Sequence, residues 1–299
     1  MLLLTLVFKD DLEDLVEGIN KIKGYFTNQN STLGVSESLE GVNHLIKIYW
    51  EEEECTKKIL ERLNYYVGDT IYRSVAGYYI KSEMEDFLLD TYFFLKNDEL
   101  TEVRKLAVKA LYCDQPIDDE SSIYCFNKKN SIISKIIDCM KENKQINING
   151  YITFRMKELV EDFESIIDNV VEKFMVEKEY TEFIKLLKYF VEIQEIKIDE
   201  VNIVVQKDGD YAVLDKEGND ILPELLKEIP IAKPNRTANK EDILISGLIT
   251  NSPGKINLHS IENCENRQFL DTIKNVFQDR VCYCNNCEIC RKSKNNITI

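Results

Sequence analysis

The residues with the clearest chemical content are four cysteines that lie close together near the end of the chain. Thiolate sulfurs are preferred ligands of zinc, and cysteines separated by two to four residues can bring their sulfurs to about 2.3 Å from one ion. The segment therefore predicts a metal site that orders the end of the chain. Its candidate ligands are Cys282, Cys284, Cys287 and Cys290.

Another segment is expected to complete this site. A tetrahedral site of four thiolates usually combines two pairs of ligands from separate segments, because so short a run of cysteines must fold sharply to surround one ion. The sequence offers two further ligands upstream, Cys264 and His259, and the histidine stands at the end of a predicted strand. A second copy of the chain that shares the metal would also complete the coordination.

The cysteines have three chemical interpretations besides that of an inert tail. The first is a structural zinc site. The second is an iron–sulfur cluster on Cys284, Cys287, Cys290 and a cysteine from elsewhere, although the usual fourth cysteine followed by proline is missing. In the third, the thiols hold no metal and are free or redox-active.

No other residues form a recognisable catalytic set. The sequence contains no glycine-rich nucleotide-binding loop, no HExxH zinc motif and no nucleophile elbow. His44 lies on a predicted strand with no assignable partner, so we expect a packed or half-exposed side chain. Carboxylates such as Glu158 and Asp162 lie mostly away from an apolar helical stripe and are expected on the surface. We therefore predict no catalytic residues and favour a noncatalytic protein over an enzyme.

The charge of the chain argues against two classes of partner. With 53 acidic and 38 basic residues, the formal net charge is −15, which repels the phosphates of nucleic acids and anionic lipid headgroups. The apolar start, from Leu2 to Phe8, is too short to span a bilayer and has no basic flank before it. We expect no nucleic-acid partner and no membrane span.

Cysteine usage indicates a cytoplasmic protein. The nine cysteines, an odd number, occur without a secretory signal. Secreted proteins rich in cysteine typically carry a disulfide framework, whereas thiols stay reduced in the cytosol. No feature of the sequence specifies an oligomeric state.

The cysteines are positioned by a predicted C-terminal α+β unit, residues 200–284. Its first two strands flank Asp208-Gly209, a strong signal for a hairpin turn. A third strand is predicted at Lys255–His259, and a helix with apolar residues at helical spacing follows it. A final short strand enters at Val281 and leads into the Cys-rich end, residues 282–290.

A long helical segment precedes this unit. From residue 151 to 195, apolar residues recur every three or four positions, which is the pattern of a helix face. The pattern slips at Glu177 and Lys178, where charged residues take the expected apolar positions. We therefore predict a central pair of helices, joined near Glu179, that pack antiparallel to each other.

The N-terminal part, residues 1–113, is predicted to combine a small α/β unit with several helices. It begins with an apolar strand, a helix from about Asp11 and a hairpin with its turn at Glu40-Gly41. Helical periodicity follows, and Gly68, Gly77 and Asn97-Asp98 are predicted helix breaks.

A linker is predicted at residues 114–127, where Pro116 and a run of acidic residues interrupt the helical pattern. Residues 128–299 then form a second region that contains the central helices, the C-terminal unit and the cysteines. The expected fold class is α+β and helix-rich. It comprises a small N-terminal α/β unit, a central helical region and a C-terminal α+β unit ending in a Cys-rich knuckle.

The C-terminal half resembles a known family. In order, the sequence contains GYITFRMKEL, EKEYTEFIKLLKYFVEIQE, DEVNIVV, DILISGLITNSPGKINLH and DTIKNVFQDRV, followed by the cysteines. These segments and their spacing are similar to the YtxC family of sporulation proteins from endospore-forming Firmicutes. The resemblance implies a sporulation-associated, cytoplasmic protein, and it implies no catalytic residues.

Three functions are compatible with these observations, in order of preference. The first is a noncatalytic sporulation factor that contacts other sporulation proteins and ends in a zinc-stapled segment. The second is a thiol-redox or metal-dependent enzyme that uses Cys287 and Cys290. The third is a zinc-ribbon nucleic-acid binder, whose basic patch would consist of Arg280, Arg291, Lys292 and Lys294.

Overall fold

The computed structural model describes residues 1–9, 13–27, 33–51, 56–227, 239–284 and 286–294, without the side chains of residues 13, 156, 226–227 and 292–294. The chain divides into two compact units, Met1–Val176 and Glu177–Ile299. Each unit has its own cluster of buried apolar side chains. The predicted class, a helix-rich α+β protein, is confirmed.

The first unit contains a mixed four-stranded sheet in the order β2-β3-β1-β4. Strand β1 pairs antiparallel with β3 and parallel with β4. The predicted N-terminal strand and hairpin are confirmed, and Gly41 in the turn has a φ of 65°, which glycine adopts without steric cost. The strands are β1 (Leu2–Phe8), β2 (Leu33–Glu40), β3 (Asn43–Trp50) and β4 (Gln145–Asn147).

Helices cover this sheet, and one of them differs from the prediction. Helix α2 continues through Gly68 and Gly77, so the breaks predicted there are wrong, whereas the break predicted at Asn97-Asp98 agrees with the helix that begins at Asn97. These glycines allow close packing instead, since a Cβ on Gly68 would lie 3.1 Å from Cγ1 of Ile137. The predicted helix start near Asp11 lies outside the described residues. The helices are α1 (Glu13–Thr27), α2 (Lys57–Ser82), α3 (Met84–Thr91), α4 (Asn97–Tyr112) and α5 (Glu120–Glu142).

The segment predicted as a linker, 114–127, is helical from Glu120 onward. The acidic residues that suggested a linker begin the helix instead. The Asp119 carboxylate accepts the backbone N–H of Ser122 at 2.7 Å, and the Ser122 hydroxyl accepts the N–H of Asp119 at 3.1 Å. This reciprocal capping satisfies two N–H groups at the helix start.

The predicted central helix pair, 151–195, is a single helix, α6 (Ile148–Ile193). The predicted break near Glu179 is therefore wrong. The apolar pattern slips because the helix changes core: residues up to Val171 pack in the first unit, and the buried residues from Ile184 onward pack in the second. No glycine or proline interrupts it there. The division between the compact units falls inside α6, after Val176, and not at the predicted linker.

The second unit contains a four-stranded sheet in the order β6-β5-β7-β8. Strands β5 and β6 form the predicted antiparallel hairpin, whose Gly209 has a φ of 82°. Strands β5, β7 and β8 are parallel, so their carboxyl ends meet at one edge of the sheet. The strands are β5 (Glu200–Val205), β6 (Tyr211–Leu214), β7 (Lys255–His259) and β8 (Val281–Cys284).

Helices connect these strands and bury the faces of the sheet. Helix α9 lies between β7 and β8 in sequence and buries one apolar face that includes Phe269, Ile273 and Val276. The predicted strand at Lys255–His259 is confirmed, whereas the short helix α10 was not predicted. Among the described residues, no helix has the length and apolar character needed to cross a bilayer. The helices are α7 (Leu222–Lys227), α8 (Lys240–Asn251), α9 (Arg267–Phe277) and α10 (Glu288–Lys294).

Candidate metal centre

A histidine and three cysteines converge at the carboxyl ends of β7 and β8. His259 ends β7 and Cys284 ends β8, and the parallel register places these two residues level with each other. The chain then turns back, so that Cys287 immediately precedes α10 and Cys290 lies in its first turn. Two segments far apart in sequence thus contribute to one cluster, which we call the Cys–His group.

Four of the six distances within the Cys–His group are close to the edges of a zinc tetrahedron. Its four ligand atoms all lie within 4.8 Å of one another. The Sγ atom of Cys290 is 3.7 Å from that of Cys287 and 4.0 Å from that of Cys284. His259 Nδ1 is 3.3 Å from Cys287 Sγ and 3.4 Å from Cys290 Sγ. Around zinc, tetrahedral geometry requires about 3.8 Å between sulfurs and about 3.5 Å between sulfur and nitrogen.

The two cysteines of the turn differ in acidity. Burial raises the pKa of the Cys287 thiol, but hydrogen bonds from the backbone N–H groups of Cys290 and Ile289 and from the neighbouring thiols outweigh it, and the pKa is lowered. At Cys290, burial outweighs the hydrogen bonds from the backbone, and the pKa of its thiol is raised. N–H groups that point at a sulfur favour the thiolate, which is the form that binds a metal. The backbone of the turn is therefore arranged to stabilise negative charge on Cys287.

His259 presents its Nδ1 atom to the sulfurs because its other nitrogen is occupied. The Nε2–H donates to Asn202 Oδ1 at 3.1 Å. That amide is itself fixed, since its Nδ2 donates to the Asp215 carbonyl and its Oδ1 also accepts from Asn257. Burial lowers the pKa of His259, which is 4% exposed, despite the opposing charge of Glu200. A neutral imidazole held by an outer partner is the form that binds metals.

Two of the predicted candidate ligands lie outside this group. Cys282 is exposed and pairs in register with Asn257, two residues before the end of β8. Two strand residues correspond to about 6.6 Å, so its sulfur stays away from the turn. Cys264 is buried elsewhere, with its Sγ 3.2 Å from the Asn266 carbonyl and 3.7 Å from the Tyr211 hydroxyl. His259, predicted as a possible further ligand, completes the group in place of Cys282.

The asparagines that support the histidine were not predicted from the sequence. Asn202 is buried among the apolar residues Val201–Val205 of β5, and half-buried Asn257 lies opposite it on β7. A polar residue at a buried strand position requires a hydrogen-bonding partner, and this signal was present in the sequence. His44, by contrast, stacks on Phe8 in the first unit, in agreement with a packed role.

The described part of the chain has two surface grooves that are lined by residues outside the Cys–His group. One, of about 460 Å³, is lined by residues of the first unit that include Asp14, Asp69 and Arg73. The other, of about 600 Å³, is lined by residues of the second unit that include Tyr180, Lys185 and Lys274. Neither groove could therefore bring a substrate to the sulfurs.

Comparison with known proteins identifies the family. Residues 65–282 match the model of the YtxC-like family, which is more than half of the chain. The chain belongs to the YtxC-like family. One similar relative is the "Uncharacterized protein YtxC" of Bacillus subtilis (strain 168), 24% identical over 204 residues that cover 66% of this chain and 69% of the relative. No solved structure matches.

The YtxC-like match covers the Cys–His group only in part. It begins at residue 65, upstream of the region that the sequence analysis assigned to the family, and it ends at residue 282. His259 and its partner Asn202 lie inside the match, whereas the three cysteines of the group lie beyond it. The family match therefore gives no support for a metal site, and only the geometry of the Cys–His group does.

Proposed function

We propose that this protein is a noncatalytic, sporulation-associated factor of the cytoplasm whose second unit is closed by a structural zinc ion. The ligands in this proposal are His259, Cys284, Cys287 and Cys290. The observation that carries it is the convergence of the four ligand atoms within 4.8 Å, with four of their six distances close to the edges of a zinc tetrahedron. The sporulation role is supported by the resemblance to the YtxC family, whose curated relative comes from Bacillus subtilis.

The composition of the Cys–His group favours a structural role over a catalytic one. Three thiolates and one imidazole fill the four positions of a tetrahedron, and a catalytic zinc site keeps one position open for water or substrate. An iron–sulfur cluster is less suitable, because such clusters are held chiefly by four thiolates and this group offers three. Ser260 lies next to His259 in the same buried edge, so solvent has little access there.

The two alternative functions have less support. A thiol enzyme would need substrate access to Cys287 and Cys290, and Cys290 is 1% exposed. For a nucleic-acid binder, the proposed basic patch is weakened because Arg280 donates to the Ser252 hydroxyl and the Pro253 carbonyl, both at 3.1 Å. The side chains of Lys292 and Lys294 lie outside the described residues. The net charge of −15 acts against the same function.

Elemental analysis of protein purified without added metal tests the proposed site. We expect about one zinc per chain, in line with a single four-ligand site. Cys284→Ser and the double variant Cys287→Ser/Cys290→Ser should lose the metal, whereas the matched controls Cys282→Ser and Cys264→Ser should keep it. Protein that contains neither zinc nor iron, with all three thiols freely reactive, would contradict the site.

A genetic experiment tests the sporulation role. The gene is deleted in an endospore-forming host that carries it, and heat-resistant spores are counted. We expect a reduced count that is restored by the wild-type chain and by Cys282→Ser, but not by Cys287→Ser/Cys290→Ser. An unchanged spore count after deletion would contradict the association with sporulation. It would not affect the metal site, which elemental analysis tests separately.

A further inference from the structure

The second unit exposes an apolar stripe along α6. Tyr180, Ile184 and Leu187 of this helix face the core of the unit, so the stripe is a second apolar face beside the buried one. A surface helix normally carries apolar residues on one face only. The helical members of the stripe are between 41% and 59% exposed, and Ile196 just beyond the helix is 55% exposed; they are Phe183, Leu186, Tyr189, Phe190 and Ile193.

The area of the stripe suits an interface with a second copy of the chain. Large apolar side chains bury about 150–250 Å² each, so six of them at half exposure present roughly 600 Å². Monomeric proteins rarely expose larger contiguous apolar patches. Two copies joined through this face would bury about 1,200 Å² in total, which is the lower limit for a specific and stable interface.

The order of residues in the stripe favours an antiparallel arrangement. A two-fold axis between Tyr189 and Phe190 places Leu186 of one copy opposite Ile193 of the other, and Phe183 opposite Ile196. A parallel pair would instead bring each Glu179 and Glu182 opposite the same residue of the other copy. Like charges so close together are destabilising. The stripe is therefore complementary to itself in one direction only.

We propose that the protein forms a two-fold symmetric dimer in which the α6 stripes of two copies pack antiparallel about Tyr189 and Phe190. This interface is independent of the Cys–His group and of the proposed metal. The contact surface is an apolar face of α6 that packs against the same face of a second copy.

Sedimentation equilibrium of the full chain tests the dimer. Wild-type protein should sediment as a dimer at micromolar concentrations, and Leu186→Glu/Phe190→Glu should raise the dissociation constant by at least about 100-fold, because it buries charges in an apolar interface. The matched control is Phe93→Glu/Phe94→Glu, which changes two exposed aromatic residues of the first unit, and it should leave the dimer intact. Tyr189→Lys serves as a second stripe variant if the double variant does not fold.

A photo-crosslinking amino acid at position 186 tests the symmetry. It should link to the peptide that contains Ile193 of the second copy. Wild-type protein that sediments as a monomer up to about 100 µM would overturn the proposal, as would stripe variants that dimerise as tightly as wild type. Zinc content should be the same in all of these variants, so failure of the dimer and failure of the metal site are distinguishable.

Discussion

Asn202 fixes the orientation of the His259 imidazole. It accepts the Nε2–H of the histidine and donates to the Asp215 carbonyl, so its amide group cannot turn without losing both hydrogen bonds. Outer partners of metal-binding histidines typically change metal affinity by about 10- to 100-fold. We expect Asn202→Ala to weaken zinc binding by about this factor, as measured by competition with a chromogenic chelator.

Two further variants separate orientation from general destabilisation. Asn202→Asp keeps an acceptor for the Nε2–H and should retain most of the zinc affinity. Asn257→Ala removes another donor to the same Oδ1 atom without touching the imidazole, and it should cost less affinity than Asn202→Ala. Equal losses in Asn202→Ala and Asn257→Ala would argue against a specific role of Asn202.

At the residue scale, the members of the Cys–His group differ in how well the sequence predicts them. The short separations of Cys284, Cys287 and Cys290 were visible in the sequence and predicted a metal site. The choice of His259 over Cys282 depends on the parallel register of β7 and β8, which makes His259 level with Cys284. Such a register is set by the packing of the whole sheet, so spacing alone could not decide between the candidates.

At the element scale, the start of α5 is stabilised by Asp119. A hydrogen bond from Lys173, together with the backbone and hydroxyl groups of Ser122, lowers the pKa of Asp119 to about 2. Replacement of such a cap by alanine typically costs about 1 kcal/mol. Asp119→Ala should therefore lower the free energy of unfolding by about 1 kcal/mol at pH 7 in urea denaturation. Glu120→Ala, in the first turn of the same helix, should change it by less than about 0.5 kcal/mol.

The contribution of Asp119 should depend on pH. Because its pKa is lower in the folded chain than the ordinary value of about 3.9, ionised Asp119 stabilises the fold above that value. The contribution is lost as the pH falls from about 4 through about 2. The difference in unfolding free energy between wild type and Asp119→Ala should shrink over this range, and a constant difference would contradict the capping role.

The final part of α6 is anchored by Leu187, which is 9% exposed and belongs to the apolar core of the second unit. An aspartate there would bury an unpaired carboxylate and leave a cavity. We expect Leu187→Asp to cost more than about 3 kcal/mol. Leu89→Asp, at an exposed position of α3, is the control and should cost little. A soluble Leu187→Asp protein with an unchanged melting curve would show that this face of α6 is not in a core.

Elements with local signals were predicted well, and elements that depend on tertiary context were not. The hairpin at Gly209 and the strand Lys255–His259 follow from turn residues and alternation within a few positions. The slip at Glu177 looked like a helix end, yet α6 continues because each part of it is held by a different core. Helix α10 has little apolar periodicity of its own, and its first turn is fixed by Cys287 and Cys290.

At the scale of the whole molecule, each unit has its own apolar core, but the last described segment of the second unit contributes little to it. The first unit has a large apolar core formed by its sheet and five helices together with the start of α6. The end of the second unit is a short strand followed by a turn and a helix of seven residues. So short a helix has little stability of its own in water, and a metal bound to its first turn would supply what the apolar core does not.

Removal of the metal should therefore affect one end of the molecule. Zinc binding contributes on the order of 10 kcal/mol to the ordering of small segments. Treatment with a strong chelator, or the variant Cys287→Ser/Cys290→Ser, should make the chain after Asp279 sensitive to protease. The first unit should melt almost as before, because its core contains none of the ligands. Limited proteolysis with mass spectrometry locates the cleavage sites, and calorimetry follows the melting.

The matched control for this experiment is Cys282→Ser, which changes an exposed cysteine of the same strand outside the Cys–His group. It should keep the protease resistance of wild type, and chelator should abolish that resistance to the same extent in both proteins. Addition of zinc to the chelated wild type should restore it, whereas Cys287→Ser/Cys290→Ser should not recover. A ligand that binds only the folded segment lowers the fraction of molecules in which the segment is unfolded and open to protease. Equal cleavage after Asp279 with and without zinc would therefore mean that the metal does not order this end.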